Sequence, residues 1–135
     1  MNEELKQRLA KKISESEFSA SDLPDFLTAF CEISNETEEI KTETQGWSSK
    51  LQLDITDADK FWLQAADGTF TSGTGSIDSP DATLRTSGDI AARVFTGEKD
   101  ATAAYMEGSL KVDGKLTDAL KLRTIIGMVL EKLQE

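Results

Sequence analysis

Side chains suited to catalysis are scarce in this sequence, and that scarcity is the first functional signal. There is no histidine among the 135 residues. This removes Ser–His and Cys–His nucleophile pairs, imidazole metal ligation and the side chain most often used for proton transfer near neutral pH. A single cysteine, Cys31, leaves no partner for an intrachain disulfide, a CxxC redox pair or a thiolate zinc site. It shares the apolar side of a helical pattern with Leu27 and Phe30, the usual setting of an inert buried thiol. Carboxylates number 25 against 15 Lys and Arg, yet linear spacing selects no acid–base pair, and Glu107 with Asp113 is one combination among many. Asp54, Asp57 and Asp59 do not make a calcium loop. That pattern needs glycine sixth and glutamate twelfth, where Asp59 and Ala65 stand. The run from Gly68 to Ser76 lacks the GK[ST] ending of a phosphate loop, and no helical pattern follows it. No catalytic site, cofactor or metal is expected.

The net charge of -10 argues against nucleic acid as a partner. It is uneven: residues 108–135 hold five basic and four acidic groups, so the excess of acid lies entirely in residues 1–107. A near-neutral end on an acidic body is usually a solvated face, and it also permits a transient approach to an anionic membrane. Apolar residues make up 38% and charged residues 30%, the balance of one globular domain spanning residues 1–135. The opening MNEELKQRLAKK is charged throughout and lacks the apolar run of a secretory signal, so a cytoplasmic location is expected and the sequon at Asn35 reads as chance.

The elements that must position any site follow from periodicity. Leu5, Leu9 and Ile13 recur every four residues and give a first helix. Asp22 caps a second over residues 23–34, with Pro24 in its first turn and Phe26, Leu27, Phe30 and Cys31 on one side. Glu32, Glu36, Glu38, Glu39 and Glu43 read as an acidic approach to Gly46. The period then drops to two: Leu51, Leu53 and Ile55 alternate, as do Phe61, Leu63 and Ala65, with Asp67-Gly68 turning into a third strand near 69–77. Trp47 and Trp62 flank this region and are expected to pack in its core or rim. Ala82, Leu84 and Thr86 mark a fourth strand. Ser87 or Asp89 caps a helix ended by Gly97, Asp100 caps a short one, and Gly108 opens a fifth strand closed by Gly114. The last helix, about 116–133, carries Ala119, Leu122, Ile126, Val129 and Leu133, widened by Leu116, Leu120, Ile125 and Met128. So broad an apolar arc serves as core, as the wall of a ligand cavity, or as a partner surface.

From Ala82 to Leu122 the order of short motifs is specific: a helix ending in FTGEK, then AAYMEG, SLKVDG and ALKL. This order resembles the sterol carrier protein 2 family of small lipid-binding domains, and the strands from Trp47 to Ile77 fit the family's opening three. The resemblance implies an α/β (α+β) domain, a five-stranded, mostly antiparallel sheet covered by helices, with N-terminal helices in 1–45 and sheet and cover in 47–135. It implies an apolar tunnel between sheet and helices that takes fatty acids, fatty acyl-CoA, sterols or similar lipids without chemistry. The binding residues it implies begin with Phe61 and Leu63 on the sheet. Ile90, Val94 and Phe95 form the buried face of the crossing helix, and Tyr105, Met106 and Glu107 precede the strand glycine. Leu116, Leu120, Ile125, Met128 and Val129 come from the terminal helix. Glu107 stands where the family often has Gln, and a charge there at the tunnel mouth would disfavour a fatty-acid carboxylate. The competing reading is a protein-interaction or accessory module that presents lipid to a partner enzyme, as a monomer or homodimer.

Overall fold

Alternation along the strands creates one greasy and one polar sheet face. In the computed structural model, which describes residues 3–134, β1 (Ser48–Ile55), β2 (Phe61–Ala66), β3 (Thr69–Thr74), β4 (Ala82–Thr86) and β5 (Leu110–Gly114) form one sheet. Its order is β3-β2-β1-β4-β5, with β1 and β4 parallel and the other three pairings antiparallel. Leu51, Leu53, Phe61, Leu63, Phe70 and Ala82 share one buried core with helical residues, whereas Arg85 lies on the opposite face, bonded to Asp113 and paired with Asp54. This is the two-layer solution for a sheet with one apolar face.

Helices cover the apolar face: α1 (Glu3–Ser14), α2 (Leu23–Glu36), α3 (Glu38–Thr44), α4 (Gly88–Phe95), α5 (Ala101–Met106) and α6 (Leu116–Leu133). The short α3 occupies the acidic approach to Gly46. Only its Ile40 and Thr44 are buried, too few to give an apolar period. The third strand stops at Thr74, short of 77, because Gly75 has a φ of 90° and the chain turns to cross towards β4. Gln52 holds that crossing by donating to the Gly75 carbonyl and accepting from the Ile77 N–H. Gly108 belongs to the turn before β5, which starts at Leu110. Asn35, the apparent sequon, is engaged in the fold: its side chain donates to the Phe70 carbonyl and accepts from the Phe70 N–H.

Three anchors fix the end of the sheet that matters below. Ser87 caps α4, its hydroxyl accepting from the Ile90 N–H at 3.2 Å. Gly88 lets α4 approach closely, since a Cβ there would strike Ala20, and its N–H donates to Asp57. At the start of α6 the buried Asp118 accepts from Trp47 Nε1 at 3.1 Å and Ser49 Oγ at 2.8 Å, tying the helix to β1. Trp47 also packs against Phe70, and Trp62 lies over Gly73.

Candidate functional site, an apolar cavity under the last helices

Two faces of α6 do different work. Leu122, Ile125, Val129 and Leu133 are buried in the core. One turn round the helix, Leu116, Ala119, Leu120 and Arg123 recur at 3–4 spacing and line an open cavity of about 260 Å³. Its other walls come from Leu84 of β4, Leu110 and Val112 of β5, and Thr102, Tyr105 and Met106 of α5. The wide arc of α6 is therefore core and cavity wall side by side. Exposure singles out the same place. Tyr105 (43%), Met106 (80%), Leu116 (42%) and Leu120 (45%) are the large hydrophobic side chains that stay exposed among the described residues, and all four line this cavity. Scattered apolar residues on a surface carry no message, whereas their clustering around one opening makes this recess the candidate site.

Behind the opening lies a smaller inner chamber of about 30 Å³, room for about one water. It is walled by Leu53, Ile55, Val94, Phe95, Leu122 and Ile126. The two spaces share Leu84, Ala101, Leu110, Ala119 and Arg123, so they are consecutive parts of one recess between sheet and helices. Polar groups are few and held: Thr86 donates to the Ser109 carbonyl, and Arg123 Nε donates to Asp100 Oδ1 at 2.6 Å. The Arg123 guanidinium holds the Asp100 carboxyl below its usual range, aided by the Ala103 and Thr102 N–H groups and opposed by a smaller desolvation effect. No cluster of potential metal ligands occurs among the described residues. A mostly apolar recess with one charged group can hold an amphiphile by burial.

The residues expected from sequence divide accordingly. Tyr105, Met106, Leu116 and Leu120 meet at the opening, and Val94 and Phe95 line the inner chamber. Phe61, Leu63, Ile125 and Val129 are buried core residues outside the lining, Met128 packs against that core, and Ile90 is half-buried on α4. Glu107 is exposed and ion-paired with Lys99, and it is not among the residues that line either space. Leu53, Leu84, Ala101, Ala119 and Arg123 line the recess without having been singled out as ligand-binding. The signal available for Arg123 was its place in the 116–119–120–123 row, a charge set into an apolar stripe.

Other recesses are polar or mixed. The groove of about 670 Å³ between Phe18, Ser19 and α4 is rimmed by Asp89, Arg93 and Glu98. Cys31 is buried, and its thiol is pushed up by desolvation, which a contact with Ser72 only partly offsets. No described helix is long and apolar enough to cross a membrane.

Comparison with known proteins places this geometry. A model of the SCP-2 sterol transfer family matches residues 27–127. No curated protein matches the sequence. Among solved structures, a sterol carrier protein 2 is 18% identical with a TM-score of 0.58, the match covering 82% of this chain and 94% of that one. The ubiquinone synthesis protein UbiJ-SCP2 is 10% identical with a TM-score of 0.61, over 76% of this chain and 85% of that one. The sec-alkylsulfatase Pisa1 from Pseudomonas sp. is 21% identical with a TM-score of 0.55, over 64% of this chain but 14% of its own length. The chain thus spans a small part of that larger enzyme, and what these likenesses share is the fold.

Proposed function

Since the chain belongs to the SCP-2 sterol transfer family, we propose that it binds and transfers a lipid in the recess under α4, α5 and α6 without chemistry on the cargo. A fatty acid, a fatty acyl-CoA or a sterol-like molecule suits such a site. The observation that carries the reading is the gathering of Tyr105, Met106, Leu116 and Leu120 at the mouth of an otherwise apolar recess. Each methylene moved from water into such a site gains about 0.8 kcal/mol, so a chain of modest length is held with few polar contacts. The same four side chains give the mouth an apolar lip with which to meet a membrane surface during loading and release. The reading includes action in the cytoplasm, as a monomer or homodimer.

A second reading is favoured by one finding: a fold of this kind occupies 14% of the sulfatase chain. On this reading the chain would present lipid to a partner enzyme. Native mass spectrometry of the purified protein, followed by vesicle-to-vesicle transfer of a fluorescent fatty acid, tests both. The carrier reading expects co-purified lipid and transfer by the protein alone. Transfer that needs an added enzyme selects the second reading, and an empty protein that binds no lipid contradicts both.

A further inference from the structure

Arg123 is the one charged side chain, among the described residues, that lines both the inner chamber and its opening. A third recess of about 320 Å³, bordered by Gly97, Lys99, Asp100 and Thr124, is also lined by Ala101 and Arg123. Arg123 therefore stands where three spaces meet, with its side chain 49% exposed. Its partner Asp100 is the N-cap of α5, accepting from the Ala103 N–H at 3.3 Å. The Arg123–Asp100 pair thus fastens the start of α5 to the middle of α6. At six residues, α5 is the shortest of the described α-helices, and its Tyr105 and Met106 form the lip of the opening. Glu107 is already paired with Lys99, so it does not compete for the guanidinium.

We propose that Arg123 anchors the head group of an anionic, single-chain amphiphile, and that its pair with Asp100 is a latch on α5 which the incoming anion replaces. This rests on the lipid-binding reading above and narrows it. An inner chamber with room for about one water must widen before an acyl chain enters. The wall to move is α5, because it is short and tied to α6 by this pair. A carboxylate arriving at Arg123 exchanges one charge-assisted bond for another, so the guanidinium stays paired while α5 is released. An alcohol cannot make that exchange: either Asp100 keeps its place and α5 stays fastened, or the pair is lost without an ionic replacement. The head group then sits at the junction of the three spaces, half in water, with the tail along Leu84, Leu110 and Ala119.

Laurate and 1-dodecanol, matched in chain and different in head group, are the probes, with binding read by isothermal titration near neutral pH. The wild type is expected to favour laurate by about fivefold, the upper end for a half-exposed charge pair. Arg123→Gln should erase the preference while dodecanol still binds, and Arg123→Lys should keep part of it. Asp100→Asn keeps a competent N-cap and removes the latch charge, so it should tighten laurate binding. A preference unchanged in Arg123→Gln, or no preference in the wild type, overturns the proposal and leaves the lipid reading standing. Failure of the wild type to bind either probe overturns both. Thermal melts of each variant separate loss of the anchor from loss of the fold, and Asp100→Asn carries the test if Arg123→Gln does not fold.

Discussion

Over β3 the helical layer is filled with aromatic rings, whereas over β4 and β5 it is lined largely by alanine, leucine and valine. Phe30 of α2 meets Phe70 of β3 edge-on with centroids 5.6 Å apart, and Phe26 continues the cluster to Phe18 and Phe95. Phe26, Phe30 and Phe70 are at most 1% exposed. At the other end Ala101 and Ala119 face Leu84, Leu110 and Val112, and open space remains between them. One sheet thus carries a close-packed end, which supplies stability, and an under-filled end, which supplies room. Large rings bury about 150–250 Å² each, so the first end can sustain the second.

The sharpest way to break this contrast is to truncate a residue at each end. Phe30→Ala should cost about 3–5 kcal/mol in urea denaturation, with laurate binding retained while the fold persists. Leu84→Ala, beside existing space, should cost less than about 2 kcal/mol. Equal costs would mean that both ends are packed alike. Filling is the complementary test. Ala119→Phe should weaken laurate binding by at least about tenfold, while stability changes by less than about 1 kcal/mol. A large destabilisation instead would show that the space is too small for the ring.

The smallest expected effect lies at the packed end and depends on pH. Desolvation works to raise the Asp22 carboxyl, but the bonds and charge of Lys12 and the Ser19 N–H outweigh it and leave the group below its usual value. A folded-state pKa lowered in this way stabilises above the unfolded-state value and is lost as the solution is acidified through the folded value. Between about pH 6 and about pH 3 the wild type should therefore lose more stability than Asp22→Asn. Identical acid profiles would remove this tie between α1 and the start of α2.

The two ends were also unequally legible in the sequence. The strands and α6 follow from strong periodicity, as Leu51, Leu53 and Ile55 or Leu122, Ile126, Val129 and Leu133 illustrate. The exception, α3, buries only Ile40 and Thr44 in a run of glutamates, and its helicity comes from docking rather than pattern. The cavity was legible only in part. Its bulky lip (Tyr105, Met106, Leu116, Leu120) is conspicuous as apolar side chains around the motifs that carry the family resemblance. The residues that create room are conspicuous by smallness, and Ala101 or Ala119 in a helix looks like any other alanine. Ile125 and Val129 share the stripe with cavity residues, and only the rotation of α6 against the sheet decides which of them face core. Arg123 reads in one dimension as a solvated charge, and its role depends on Asp100, which lies in another element.

The central claim is that the under-filled end, and not the aromatic end, receives the lipid. Backbone amide and methyl NMR of the full chain during titration with laurate tests it most directly. The account predicts saturable shifts concentrated at Leu84, Leu110, Tyr105, Leu116 and Ala119, with Phe30 and Phe70 nearly unmoved. Shifts centred on Phe30 and Phe70 or on the polar groove near Phe18, or no saturable shifts at all, would contradict it.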